Sequence, residues 1–163
     1  MAHSRFGHAV RIVTDPLHQE TFMRNTVQAL LLVIVAFFAG AAAADEPVKV
    51  VYHLSDGVAQ AGRALGNIRN HLAADATAKI VVVTHGAGID FLLEGAEGPQ
   101  GQKFAGPVAE LANRGVEFKV CNNTLVSRKI SADKVAMEAK VVPSGVAEVA
   151  RLQAREGFVY LRP

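Results

Sequence analysis

Cys121, the single cysteine of the chain, is the residue with the clearest capacity for chemistry. It is followed at once by Asn122, Asn123 and Thr124, residue types that end strands and begin helices. A thiol near a helix N-terminus is shifted towards the thiolate, which is the nucleophilic form of cysteine. The pattern predicts a reactive thiolate at Cys121, with Asn122, Asn123 and Thr124 as groups that bind around it. The alternative is a small buried hydrophobic residue, as free cysteines often are.

The segment before Cys121 predicts the strand that would position the thiol. Val116, Phe118 and Val120 alternate with charged or polar residues, which is the period-two pattern of a half-buried strand. Cys121 then falls at the carboxyl end of that strand. In open α/β sheets this is the edge where ligands and reacting groups collect.

Three other predicted strands end in residues that can assist a thiol. His53 lies near the end of the strand 48–54, His85 follows the strand 79–84, and Ser144 follows the strand 139–142. The carboxyl ends of parallel strands meet at one edge, so we expect these residues near Cys121. His85 is the candidate catalytic partner and proton donor, while His53 and Ser144 are candidate binding residues. The alternative for both histidines is a hydrogen-bonded structural role.

No metal or cofactor is expected from these residues. Zinc accepts a set such as His53, His85 and Cys121, but the sequence contains no short-range pair of ligands. The run Gly86-Ala87-Gly88 superficially resembles a phosphate loop. It lacks a third glycine at the required spacing and a Lys-Ser/Thr pair, so no nucleotide site is predicted.

Strands and helices alternate along the second part of the chain. Apolar residues recur at helical spacing over 58–74, 104–113 and 146–155, between the strands named above and a last strand at 158–161. This order predicts an α/β fold, a three-layer flavodoxin-like sandwich with a mostly parallel sheet of about five strands. The 163 residues suffice for one such domain, and 50% of them are hydrophobic. With a net charge of only +2 and dispersed basic residues, no nucleic-acid partner is expected.

Residues 23–44 are typical of a secretory signal peptide. A basic start is followed by the apolar run 27–38 and by an alanine-rich end, with cleavage expected after Ala44. This predicts export to the periplasm, with residues 45–163 as the folded domain. The alternative is an uncleaved segment that would be the chain's one contact with the membrane. Residues 1–22 precede the signal and are expected to be an upstream start or disordered.

The domain resembles the DsrE/DsrF-like family of sulfur-relay proteins. The resemblance covers almost all of residues 48–163 and is strongest over 50–56, 83–86, 111–125, 142–149 and 153–160. It implies a flavodoxin-like domain that forms homo-oligomers, often trimers or hexamers. It also implies a sulfurtransferase or sulfur-carrier activity, in which a cysteine at the position of Cys121 carries sulfane sulfur as a persulfide between donor and acceptor proteins.

Two functions are therefore expected from the sequence. In the first, Cys121 takes a sulfane sulfur, holds it as a persulfide and passes it to an acceptor thiol. In the second, the protein is a non-catalytic oligomeric module that binds a small ligand or a partner, and Cys121 is structural.

Overall fold

Five parallel strands form one sheet in the computed structural model, which describes residues 46–163. The strands are β1 (Lys49–Leu54), β2 (Lys79–Thr84), β3 (Glu117–Cys121), β4 (Ala139–Val142) and β5 (Val159–Leu161). Their order across the sheet is β4-β3-β2-β1-β5. The predicted parallel sheet of about five strands is confirmed. The predicted signal peptide 23–44 and the segment 1–22 lie outside the described residues.

Four α-helices and two 3₁₀ helices connect the strands. The α-helices are α1 (Val58–Ala74), α2 (Ala105–Asn113), α3 (Asn122–Ser127) and α4 (Gly145–Glu156). The 3₁₀ helices are Gly86–Leu92 and Ala132–Lys134. None of the helices in 46–163 is long and apolar enough to span a membrane.

The handedness of the connections explains the three layers. Each step from β1 to β4 moves to the next strand in the same direction, so right-handed crossovers place these connections on one face. The step from β4 to β5 returns across the whole sheet in the opposite direction. The same handedness then places α4 on the other face, and the predicted sandwich is confirmed.

The two faces of the sheet carry cores of unequal size. The larger core, under α1 and α2, includes Val50, Tyr52, Leu54, Ile68, Ile80, Val82, Leu111 and Phe118. On the opposite face, Val51, Val81 and Val83 pack against Val149 and Leu152 of α4. β2 lies at the centre of the sheet, and every residue from Ile80 to Thr84 is buried. Its nearly unbroken apolar sequence follows from this burial on both faces.

The segment after β3 differs from its prediction. The sequence favours a pair of helical pieces between Leu125 and Ala136, with Thr124 as a cap. In the structure the helix begins immediately after the strand, at Asn122, and ends at Ser127. Thr124 therefore lies inside the first turn of α3, where it has a different set of partners.

Candidate functional site

Cys121 lies where the connections from two neighbouring strands leave for opposite faces of the sheet. After β3 the chain enters α3, whose Leu125 packs into the larger core. After β4 the chain enters α4, which packs on the other face. Connections that diverge in this way open a crevice at the carboxyl ends of the strands, and open α/β sheets bind ligands there.

The thiol in this crevice is almost covered, with Cys121 only 5% exposed. The sequence predicts a more open sulfur at the rim of the sheet, but the start of α4 lies across it. A Cβ placed on Gly145 would lie 3.2 Å from the Cβ of Cys121 and 3.0 Å from the carbonyl oxygen of Thr84. The helix comes this close because Gly145 has no side chain.

The first turns of two helices supply hydrogen-bond donors that lower the pKa of the Cys121 thiol. They are the backbone amides of Asn123, Thr124 and Gly145 and the hydroxyl of Thr124. Burial raises the pKa of the Cys121 thiol, but these donors together outweigh burial and hold that pKa below its ordinary value. The site therefore favours the thiolate, although it is nearly closed to solvent.

Thr124 connects the thiol to the loop that follows β2. Its hydroxyl oxygen accepts a hydrogen bond from the backbone amide of Gly86 at 3.0 Å. The same hydroxyl helps to lower the pKa of the Cys121 thiol. Thr124 is itself buried, so its bond to Gly86 is made away from bulk water.

A Thr124→Val variant removes the hydroxyl and keeps the shape of the side chain. We expect the rate of alkylation of Cys121 at pH 7 to fall about threefold, because the thiolate loses one donor. The free energy of unfolding should fall by about 1 kcal/mol, because the amide of Gly86 loses its acceptor. Thr124→Ser keeps the hydroxyl and should react at close to the wild-type rate. Equal alkylation rates for the valine and serine variants would contradict this role.

The other predicted binding residues contribute through the backbone or as a cap. The side chains of Asn122 and Asn123 are exposed, and what reaches the sulfur from this pair is the amide of Asn123. Ser144 is the N-cap of α4, and its hydroxyl oxygen accepts from the amide of Ala147 at 3.4 Å. Ser144 thus fixes the start of the helix that covers Cys121.

The two predicted histidines lie together at the same edge. The Cβ of His85 is also 3.2 Å from the Cβ position of Gly145, so His85 and Cys121 begin side by side beneath α4. The ring of His53 lies next to that of His85, with centroids 4.7 Å apart and planes inclined by 35°. The structure brings these three residues to one edge, and the catalytic role of His85 stays a prediction.

These residues do not form a metal centre. Within 46–163, no group of three or more His, Cys, Asp or Glu side chains is arranged to hold an ion. Nδ1 of His53 instead bonds to the hydroxyl of Tyr160 at 2.8 Å.

A partly buried ion pair fixes α4 to the sheet one turn beyond the thiol. Nζ of Lys119 on β3 donates to Glu148 on α4 at 2.7 Å, and Arg151 donates to both carboxylate oxygens of Glu148 at 2.7 and 2.8 Å. Hydrogen bonds from Arg151 and Lys119 outweigh burial and hold the pKa of Glu148 at about 2. Because Lys119 precedes Cys121 by two residues on the same face, this pair holds the helix start over the thiol.

This ion pair predicts an acid dependence of stability. The carboxyl of Glu148 titrates near 4.5 in the unfolded chain and near 2 in the folded protein, so its contribution is complete above pH 4.5. That contribution, about 3 kcal/mol, is lost as the pH falls towards 2. Urea unfolding of wild type and Glu148→Gln should therefore differ at pH 6 and converge near pH 2. A difference that is the same at both pH values would contradict the pairing.

Three contributors to the site were missed from the sequence. They are Gly145, Tyr160 and the Lys119–Glu148 pair. The signal for Gly145 was its place directly after a strand end and Ser144, which marks a helix start. No local pattern pointed to Tyr160 or the ion pair, because both depend on strand order and on the face that α4 covers.

Comparison with known proteins assigns the chain to a family. The model of the DsrE/DsrF-like family matches residues 48–162. The chain is similar to the solved structure of a protein of unknown function, MTH1491 from Methanobacterium thermoautotrophicum. The two are 32% identical with a TM-score of 0.64, over 71% of this chain and 99% of the other.

A second solved structure, the ychN protein from E. coli, shares the fold. It is 13% identical with a TM-score of 0.57, and the alignment covers 72% of this chain and 99% of that chain. A search of functionally curated proteins found no match. The family match covers most of the chain, and it agrees with the five-stranded sheet and with the predicted resemblance. The chain belongs to the DsrE/DsrF-like family.

Proposed function

We propose that this protein carries sulfane sulfur as a persulfide on Cys121. The observation that carries the proposal is the position of Cys121 at the carboxyl end of β3, directly beneath the start of α4. Backbone amides and the Thr124 hydroxyl at these helix starts hold the pKa of the thiol below its ordinary value despite burial. A thiolate is the form of cysteine that attacks a sulfur–sulfur bond. Membership of a family that generally serves in sulfur relay supports the same activity.

The loading step needs no external oxidant or reductant. The thiolate of Cys121 attacks the outer sulfur of a persulfide donor, R–S–SH. A new sulfur–sulfur bond forms on Cys121, the old bond breaks, and its electron pair leaves with the donor as R–S⁻. An acceptor thiolate later attacks the outer sulfur of Cys121–S–SH. This step regenerates the thiolate of Cys121 and gives the acceptor persulfide.

His85 is the residue best placed to donate a hydrogen bond to the leaving group of the loading step. It begins beside Cys121 under the start of α4. When protonated, its imidazole can donate to the leaving thiolate R–S⁻ and make it a better leaving group. In the discharge step the leaving group is Cys121 itself, which the amide donors already stabilise as an anion.

The narrow access to the thiol limits what can deliver the sulfur. Cys121 is 5% exposed, so a donor must present its sulfur at the end of a thin group. A persulfide side chain and an inorganic polysulfide both meet this requirement, because the transferred atom is terminal.

A complete cycle of loading and discharge tests the proposal. We expect the protein to gain the mass of one sulfur atom at Cys121 on incubation with polysulfide, and to lose it to a small acceptor thiol. Cys121→Ser should gain nothing. If the native protein gains no sulfur while its thiol still reacts with iodoacetamide, the carrier function is wrong.

The burial of Cys121 favours the second candidate, a binding module in which the cysteine is structural. A buried thiol with apolar neighbours is inert, whereas this sulfur faces amide donors. Sulfur transfer by the wild-type protein separates the two. A structural cysteine predicts that wild type transfers no sulfur and that Cys121→Ser changes only the free energy of unfolding in urea.

The cellular location and the oligomeric state of the protein are proposed from the sequence. The predicted signal peptide 23–44 would place sulfur transfer in the periplasm. Self-association is supported by large apolar side chains on the surface of the described part of the chain. Among them are Val126, Met137 and Val146, at 68%, 94% and 60% exposed. Sedimentation of the mature protein measures the size of the assembly.

A further inference from the structure

Three rings from three different segments form a row beside the thiol. His85 follows β2, His53 lies on β1 and Tyr160 lies on β5. The centroids of His53 and Tyr160 are 5.6 Å apart, and those of His53 and His85 are 4.7 Å apart. The row lies on the face that α4 covers, and Tyr160 at its outer end is 39% exposed.

We propose that the Tyr160–His53 pair is a positioning device for His85, which fixes the ring of His85 at the edge of the sheet that carries Cys121. The effect expected on the rate of sulfur transfer rests on the proposed function, whereas the arrangement of the three rings does not. Tyr160 and His53 are positioning residues, since they act through His85.

The hydrogen bond to Tyr160 fixes the orientation of His53. Nδ1 of His53 lies 2.8 Å from the hydroxyl of Tyr160. With that nitrogen engaged, the His53 ring cannot rotate without loss of the bond, and it stays next to the ring of His85. The ring of His53 in turn limits the rotation of His85.

The other nitrogen of His53 is buried without a partner. Within the described residues, Nε2 of His53 is the buried side-chain polar atom that makes no hydrogen bond. An unpaired buried group of this kind costs stability, so native structures rarely keep one that serves no purpose. A second proton on His53 would place charge on this unpaired atom, which disfavours it further.

Burial and the charges around His53 also favour its neutral form. Burial lowers the pKa of His53 first, and the neighbouring His85 and Arg162 lower it further, against a smaller opposite effect of Asp56. Asp56 is itself paired with Arg162 at 2.8 Å, which weakens its effect on the ring.

Other charged groups on this face do not alter the balance at His53. Lys119 of β3 is paired with Glu148 of α4 at 2.7 Å. Two adjacent imidazoles repel each other when both are charged, and His53 is the ring whose charged form its surroundings disfavour.

Histidine ring signals followed by NMR across pH test the geometry directly. We expect His53 to take up its proton at a higher pH in His85→Asn than in wild type, because the neighbouring His85 lowers the pKa of His53. A His53 titration that His85→Asn leaves unchanged would overturn the proposal. This test does not require the protein to carry sulfur.

The kinetic consequence is tested with Tyr160→Phe, which removes only an exposed hydroxyl. We expect transfer from polysulfide to Cys121 to slow about fivefold at pH 7, with no further loss when the change is made in His85→Asn. An additive loss in the double variant would show that Tyr160 does not act through His85. If wild type gains no sulfur, the proposed function fails, and the NMR result alone decides whether the pair exists.

The opposite face of β1 offers a matched control. There the hydroxyl of Tyr52 bonds to Nδ1 of His71 at 3.1 Å, a second tyrosine–histidine pair with no link to the thiol. Tyr52→Phe should therefore leave the transfer rate at Cys121 unchanged. A loss equal to that of Tyr160→Phe would mean that the effect is a general one on stability.

Discussion

A Gly145→Ala variant is expected to alkylate at Cys121 about tenfold more slowly at pH 7 than wild type, since a hydrogen bond to a charged group contributes at least about 1.5 kcal/mol. The new Cβ would lie 3.0 Å from the carbonyl oxygen of Thr84 and 3.2 Å from the Cβ of Cys121. The start of α4 must move away to make room. The amide of Gly145 then no longer donates to the sulfur, and the pKa of the thiol rises.

Gly106→Ala is the matched control for this change. Gly106 also lies in the first turn of a helix, α2, and a Cβ there meets no atom within 4 Å. The control should alkylate at the wild-type rate. Iodoacetamide is the suitable reagent, because it is small and uncharged. If Gly145→Ala reacts as fast as wild type at pH 7, the amide of α4 does not stabilise the thiolate.

A Gly88→Ala variant is expected to lose about 3 kcal/mol of its free energy of unfolding, because overpacking against backbone is costly. A Cβ on Gly88 would overlap the carbonyl carbon and oxygen of Leu54. These atoms belong to the end of β1, a buried strand, and cannot move aside as the end of a flexible side chain can. The 3₁₀ helix Gly86–Leu92 must shift instead.

The same change should also disturb the site. The carbonyl oxygen of Leu54 accepts from the amide of His85 at 3.1 Å, so a shift of Gly88 moves the backbone that carries His85. Arg128 holds the loop from the other side through the carbonyl oxygen of Gly86 at 3.2 Å. Urea unfolding provides the measurement of stability.

Gly62→Ala is the control for the stability effect. Gly62 lies within α1 with open space around it, so alanine there should leave stability unchanged or raise it by about 0.5–1 kcal/mol. A loss in Gly88→Ala no larger than the change in Gly62→Ala would contradict the close packing of the 3₁₀ helix on β1.

Much of the fold could be predicted because its signals are local. The alternation in 116–120 and the apolar run in 79–84 indicated strands whose burial the structure confirms. The order of strands and helices then limited the architecture to a parallel sheet between two layers of helices. The position of Cys121 at a strand end followed from the same pattern.

What could not be predicted depends on contacts between distant segments. β5 joins the edge next to β1 and brings Tyr160 to His53, although the two residues are 107 positions apart. The closure of the thiol by α4 depends on how closely Gly145 approaches the sheet. A sequence shows that Gly145 begins a helix, but not that the helix lies across a sulfur.

The rate at which polysulfide loads Cys121, followed by intact-protein mass spectrometry as the pH is raised, measures sulfur transfer and ionisation of the thiol together. We expect the protein to gain one sulfur atom, at a rate that reaches its plateau below the ordinary pKa of a cysteine thiol. A native protein that gains no sulfur, while the same thiol loads readily after unfolding, would show that Cys121 is not a sulfur carrier.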